Sequence, residues 1–305
     1  MNKVNEIKQK RLQMEKLTAI EVVDDSKREE LKGFLYKHLP DTIEIIRGLK
    51  LAKELNAKVF TDDSWPDVKT VIYTYNEGEI TIIYPFGTDN SKTAVILKSV
   101  IDSLLENAQQ PMITGSEDVF QELKKLGMDQ KFTVPTFRYV YTQDNTKINR
   151  PALPEGYTID SIHSSDVEYV VSKWNLAKNS LKFKQLIRHF IAHHPNAAIY
   201  DTSTEPPRPV SWSLSSGLGI HFHLFTDEEH RRKGLAFMVI TEMTQKILAK
   251  GITPAYHQGS LQSHQQYLSD NNALYCNFLL ISLNIICIYF LSLYFVCFVS
   301  FTFRV

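Results

Sequence analysis

Apolar and polar positions alternate with two different periods, and the two periods follow one another in two successive cycles. In the first cycle, SKRE at residues 26–29 forms a capping-box pattern ahead of Leu31, Phe34, Leu35 and Leu39, which share one helical face; Pro40 ends that helix. A second helix is predicted over residues 42–55. The period then drops to two. KVF at 58–60, TVIYTY at 70–75 and ITIIY at 80–84 read as strands, with Asn76, Glu77 and Gly78 as the turn between the last two. Helical spacing returns over 92–109, and Ser116 caps a further helix that Gly127 stops. Residues 137–142 read as a strand. The charged stretch 143–150, closed by Pro151 and Pro154, predicts a linker.

The second cycle opens with a short strand at 157–159. Ser164 or Ser165 caps a helix through Trp174. Residues 181–193 form a helix carrying Leu186, Ile187, Phe190 and Ile191, closed by Pro195. Strands follow at 197–200, 210–214 and 220–225. A helix runs to about Lys250, then a strand over 254–257 and a helix ending near Ser269. Strands and helices do not alternate strictly, so the pattern predicts an α+β fold with a mixed β-sheet flanked by helices.

The last part of the chain breaks the pattern. Residues 278–303 (FLLISLNIICIYFLSLYFVCFVSFTF) hold no charge, glycine or proline. As a helix this run would be roughly 39 Å long, enough to cross a bilayer with tilt. Two readings stay open: a membrane-anchoring tail, or the translation of thymine-rich non-coding sequence. The N-terminus is basic but contains Glu6 and Glu15 and has no apolar core, so it matches neither a secretory signal nor the acid-free pattern of organelle import.

Composition narrows the chemistry. The 34 basic residues equal the 34 acidic ones, which gives no net field for nucleic acid. All three cysteines (Cys276, Cys287 and Cys297) lie in the tail region, so the body offers neither a disulfide framework nor a cysteine zinc site. His193 and His194 are adjacent but have no third ligand in view, and no metal is expected.

The chemistry concentrates in TDEEHRRKGLAFMVITEM at 226–243. Here Arg231, Arg232, Lys233, Gly234, Leu235 and Ala236 fit R-x-x-G-x-A between a predicted strand and a predicted helix. The first N–H groups of a helix have no intrahelical partners, and the helix dipole adds positive potential there. Glycine lets a phosphate approach the backbone, and the basic side chains add attraction. The alternative for these residues is a plain charged first turn.

This strand–turn–helix resembles the acyl-CoA-binding turn of the GNAT N-acyltransferase superfamily. More closely, the chain resembles the glycine N-acyltransferase family, through Trp65-Pro66-Asp67, residues 171–174, Pro209-Val210-Ser211-Trp212, Glu229-His230-Arg231 and Gly234, over about residues 31–267. The resemblance implies three regions: an N-terminal α/β domain over 1–147, a degenerate copy of the same fold; a GNAT-like acyl-CoA-binding domain over 152–272, with its last strands missing; and the tail, 273–305. It implies transfer of an acyl group from acyl-CoA, as co-substrate, to the amine of glycine or another amino acid, without metal and without a covalent acyl-enzyme. It also implies a mitochondrial location, with membrane attachment through the tail as the alternative.

Direct aminolysis needs a base, donors for the oxyanion and an acid for the leaving thiolate. The resemblance places the oxyanion donors on the backbone within 220–225, with Leu224 and Phe225 beside the cofactor. It offers Tyr267 as the acid, although Ser260, Ser263 and Gln266 depart from the usual pattern ahead of it. The family's glutamate base falls on Ile220, which cannot take a proton. Strand alternation predicts that Ile220, Phe222 and Leu224 face one way and His221 and His223 the other. Either histidine is the candidate base.

Overall fold

The structure, a computed structural model, describes residues 17–107, 110–128, 136–141, 152–174, 180–259 and 278–280. The chain divides into two compact units, Met1–Thr133 and Val134–Val305.

In the first unit, β1 (Ile20–Glu21) leads into helices α1 (Asp25–Tyr36) and α2 (Ile43–Lys50). Strands β2 (Lys58–Thr61), β3 (Thr70–Glu77) and β4 (Ile80–Gly87) follow, then α3 (Asn90–Glu106), β5 (Gln110–Ile113) and α4 (Glu117–Lys125). The sheet runs β1-β2-β3-β4-β5, antiparallel except for β4 and β5, which run parallel on either side of the α3 crossover. β3 is a central strand and is buried on both faces. On one face Ile72 and Ile83 pack against Leu97, Val100, Val119 and Leu123 of α3 and α4. On the other, the Tyr73 hydroxyl donates to Gly48 O of α2 at 3.2 Å, and the missing side chain at Gly48 makes room for the ring.

The second unit begins with β6 (Thr136–Tyr141), β7 (Tyr157–Asp160), α5 (Val167–Ser172) and α6 (Leu181–His193). Next come β8 (Asn196–Asp201), β9 (Arg208–Ser215), β10 (Ile220–Thr226), α7 (Leu235–Ala249), β11 (Ala255–Gly259) and β12 (Phe278–Leu280). The sheet order is β12-β6-β11-β10-β9-β8-β7, antiparallel except for β10 and β11. One face carries α5 and α6, whose Val170 and Ile187 pack with Tyr200, Trp212 and Leu214 of the sheet. The other carries α7, whose Leu235, Val239, Met243 and Ile247 pack on Ala197, Ile199 and Val210.

The order strand–helix–helix–strand–strand–strand–helix–strand therefore occurs twice, from β1 to β5 and from β7 to β11. This is the expected α+β mixed-sheet class, and the first unit repeats the architecture of the second. The copies differ in one local feature. Asp89 caps α3, its carboxylate accepting from Lys92 N at 3.1 Å, whereas Gly234 precedes α7 at φ +77° with no side-chain cap.

The boundaries differ from the predicted pattern at several places. Asp24, not Ser26, caps α1: its carboxylate accepts from both the N–H and the hydroxyl of Ser26 at 2.8 Å, being the stronger acceptor. The helix predicted over 42–55 stops at Lys50, and turns carry the chain to Asn56 at φ +47°. β1 and β5 are too short to show a period, and Pro111 in β5 is tolerated because that strand lies at the sheet edge. Phe278–Leu280, the start of the apolar run, pairs antiparallel with β6. The rest of that run, the linker at 143–150 and the helix ending near Ser269 lie outside the described residues. Among the described residues no helix is long and apolar enough to cross a membrane.

Replacing Asp89 by alanine removes the α3 cap. It is expected to lower stability by about 0.5–2 kcal/mol, measured by urea denaturation.

Candidate active site

The turn from Thr226 to α7 is built to leave backbone donors free. A 3-10 turn at Glu228–His230 ends in Arg231, whose backbone is extended; Arg232 then takes φ +61° and Gly234 φ +77°. Left-handed residues this closely spaced turn successive N–H groups toward one point, the geometry of an anion-binding nest. The first intrahelical bond of α7 is Met238 N to Gly234 O at 3.2 Å, so the N–H groups of Leu235, Ala236 and Phe237 have no helical acceptor. Leu235 and Ala236 bury their side chains against the sheet and offer only backbone to the turn. Three exposed cations surround it. Arg231 bends back, its Nε donating to Thr226 O at 3.2 Å; Lys233 reaches the Tyr157 hydroxyl at 2.9 Å; Arg232 makes no ion pair or hydrogen bond among the described residues.

The strand leading to this turn is split from its neighbour. β10 and β11 pair over only two positions, Ile220 with Ala255 and His221 with Tyr256. The corresponding pair in the first unit, β4 and β5, keeps four. On its other side β10 carries an extra residue: Phe222 opposes Leu214 and Phe225 opposes Trp212, so three steps on β10 match two on β9. The counterpart β3–β4 ladder runs through eight positions unbroken. A β-bulge re-aims side chains and ends regular pairing, and here it sits where β10 leaves β11. The result is a cleft along a central strand. Phe222 through Thr226 are half-buried, while Val210, Trp212 and Leu214 on the adjacent β9 are fully buried.

The bulge corrects the alternation expected for this strand. His223 takes φ +50°, in the left-handed region that costs a non-glycine residue of order 1–3 kcal/mol. Its Nε2 donates to Val170 O at 3.3 Å, and its ring stacks on Trp174 at 5.4 Å and meets Trp212 edge-on at 6.0 Å. His223 therefore faces α5, as do Phe222 and Phe225. Leu224 faces the α7 cluster. His221, in the regularly paired stretch one residue before Phe222, points to the α7 side. The two histidines thus lie on opposite faces, not together, and Leu224 does not share a face with Phe222. Burial pushes His221 down to about 3 and His223 down to about 4 from the ordinary imidazole value. Both ring nitrogens of His221 lack a hydrogen-bond partner among the described residues. Ile220 is buried at the first of the two positions that pair with β11. Tyr267 lies outside the described residues.

Two groups invisible to sequence spacing complete the site. A cavity of about 470 Å³ opens beside the turn, lined in part by Lys173, Arg208, Phe225, Asp227 and Arg231. Asp227 is its hub: it accepts from the Tyr169 hydroxyl at 3.0 Å and lies 3.6 Å from Lys173 Nζ and 3.5 Å from Arg208. The lysine's own contact with the Tyr169 hydroxyl, reinforced by the nearby Asp227 carboxylate, raises the Lys173 pKa. The second group joins Tyr157, His230 and Lys233. Tyr169 lies 58 residues from Asp227 and Tyr157 lies 73 from His230, so no local motif carries the signal.

Residues 199–263, which hold β10, the turn and α7, match the family model described as FR47-like protein. A solved Drosophila protein shares the fold with a TM-score of 0.62 at 15% identity, over 85% of this chain and 94% of that one. A GCN5-related N-acetyltransferase-like protein from Streptococcus suis gives a TM-score of 0.46 at 14% identity, over 85% of this chain and 97% of that one. A tandem GNAT protein from the clavulanic acid biosynthesis pathway gives 0.45 at 10% identity, over 86% and 94%. At such identities the likeness concerns the fold. The family match falls on the strand–turn–helix, and the likeness to the Drosophila protein on the fold. The glycine N-acyltransferase family is a finer assignment that these matches do not reach.

The buried histidines give the fold a pH signature. Between pH 6.5 and their folded values, the unfolded chain binds protons that the folded chain does not. Stability is then full above about pH 6.5 and falls as pH drops, by up to about 1.4 kcal/mol per pH unit for each histidine. His221→Leu is expected to leave stability at pH 7 equal or higher and to flatten the acid slope by one histidine's share, measured by urea denaturation at several pH values.

Proposed function

We propose that this chain transfers an acyl group from acyl-CoA to the amine of an amino acid, glycine foremost, by direct attack on the thioester. The observation that carries this reading is the join of an uncapped, cation-ringed helix start to a parted central strand. The turn at Arg231–Gly234 offers N–H groups and positive charge to a diphosphate. From there a pantetheine arm can follow β10, taking up backbone groups of Phe222–Thr226 that have lost β11. This brings the thioester to the bulge, where backbone N–H groups meet the carbonyl oxygen as it becomes an oxyanion. The amine nitrogen attacks the carbonyl carbon, the C–S bond breaks, and the sulfur leaves with a proton as the CoA thiol.

The base must hold a neutral nitrogen near the bulge. His223 has one: with its Nε2 proton given to Val170 O, Nδ1 is bare. His221 is the alternative on the opposite face. Tyr267 is the proposed donor to the sulfur.

A second reading is acyl-CoA binding without turnover. It is favoured by Ile220, an aliphatic residue at the position that the resemblance assigns to a carboxylate base, and by the low basicity of both histidines.

Release of free CoA from a panel of acyl-CoA donors with glycine and other amino acids tests the proposal. Turnover with an amino acid supports transfer; binding without release supports the second reading; neither binding nor release sinks both. Gly234→Ala forces a side chain into the left-handed conformation and narrows the nest. It is expected to raise the KM for acyl-CoA by about tenfold, the scale of 1–2 kcal/mol of strain and lost contact. Steady-state kinetics at varied donor concentration would show it.

A further inference from the structure

On the β7 side of the turn, four side chains form a directed chain of contacts. Tyr157 and Asp201 are direct partners across β7 and β8. His230 is buried beside them. Its Nδ1 lies 2.9 Å from the Tyr157 hydroxyl, its ring meets the tyrosine ring edge-on at 5.8 Å, and its Nε2 lies 3.8 Å from Asp201 Oδ2. Lys233 donates to the same hydroxyl at 2.9 Å, with Nζ 5.5 Å from the centre of the tyrosine ring.

Donor capacity sets the direction. An ammonium can only donate, so the Tyr157 oxygen accepts from Lys233, and its own O–H, which has no other acceptor among the described residues, is assigned to His230 Nδ1. The imidazole proton then sits on Nε2, facing the Asp201 carboxylate. The Ser203 N–H, 2.9 Å from that carboxylate, holds the Asp201 pKa below the ordinary value. His230 is also tied to the turn itself, its N–H donating to Asp227 O at 2.9 Å. A lysine on an exposed turn ordinarily samples many rotamers, and fixing one costs entropy when a ligand binds. Here that ordering is already done by the protein.

We infer that Tyr157 and His230 are positioning residues that hold the Lys233 ammonium ready for the diphosphate of an acyl-CoA bound at the turn. The inference rests on the acyl-CoA reading above. With one N–H of Lys233 donated to the Tyr157 oxygen, two N–H groups remain for phosphate oxygens, and Lys233 makes no other hydrogen bond among the described residues. Neither Tyr157 nor His230 needs to touch the ligand.

Calorimetric titration of the full chain with CoA and, separately, with pantetheine, which lacks the phosphates, tests this. The wild-type chain binds CoA more tightly than pantetheine; if it does not bind CoA, the acyl-CoA reading falls and this inference with it. Tyr157→Phe is expected to weaken CoA by about tenfold, the scale of one charge-assisted hydrogen bond, and to leave pantetheine unchanged. In a Lys233→Met background the same substitution has no further effect. His230→Asn, whose amide oxygen stands where Nδ1 stood, keeps CoA affinity within about twofold, while His230→Leu shows the full loss. Wild-type CoA affinity in Tyr157→Phe, an equal loss for pantetheine, or the same loss without Lys233 overturns the inference while the acyl-CoA reading stands. Should Tyr157→Phe fail to fold, the His230 pair decides by the same comparison of CoA with pantetheine.

Discussion

One extra residue in β10 governs the second unit. A central strand has a neighbour on each side, and both ladders demand the same two-residue period. β10 cannot carry an added residue opposite β9 and also stay in register with β11. The conflict is resolved by giving up β11 after His221. The parted strands, the half-buried run from Phe222 to Thr226 and the separation of the two histidines onto opposite faces all follow from that. The cost is concentrated at His223, whose left-handed backbone is held by Val170, Trp174 and Trp212. Strain kept in place by surrounding packing is characteristic of sites where a backbone must offer itself to something other than its own sheet.

The first unit makes the same point by contrast. It has the same order of elements, the same parallel pair and the same crossover helix, yet its central ladder is unbroken and its strands stay together. A carboxylate from Asp89 already occupies the helix start where an anion would sit. Architecture alone therefore does not make the site; a cap, a glycine and one residue of slippage do.

Most of the fold was legible because periodicity reports burial directly. The α6 helix, the two long strands of the first unit and the strand–turn–helix around Gly234 were all readable from apolar spacing and turn residues. Short edge strands such as β1 and β5 were not, since two to four residues cannot display a period. Within the site, the turn was legible because its residues are contiguous. The bulge was not: IHFHL alternates cleanly on paper, and only the pairing with β9 reveals the added residue. Asp227 with Lys173 and Arg208, and Tyr157 with His230, were hidden for a different reason. Their partners meet through tertiary packing, and no spacing along the chain encodes such a meeting.

The place of β6 in the second sheet has a practical corollary. This strand is encoded ahead of β7, yet it lies between β11 and β12 and shares five paired positions with β11. A truncated protein starting at residue 152 would lack it, leaving β11 bare along the side away from the cleft. Open edges of that kind recruit strands from neighbouring molecules. Dissection of the second unit should therefore cut before residue 134, or the isolated piece will self-associate for reasons unrelated to its chemistry.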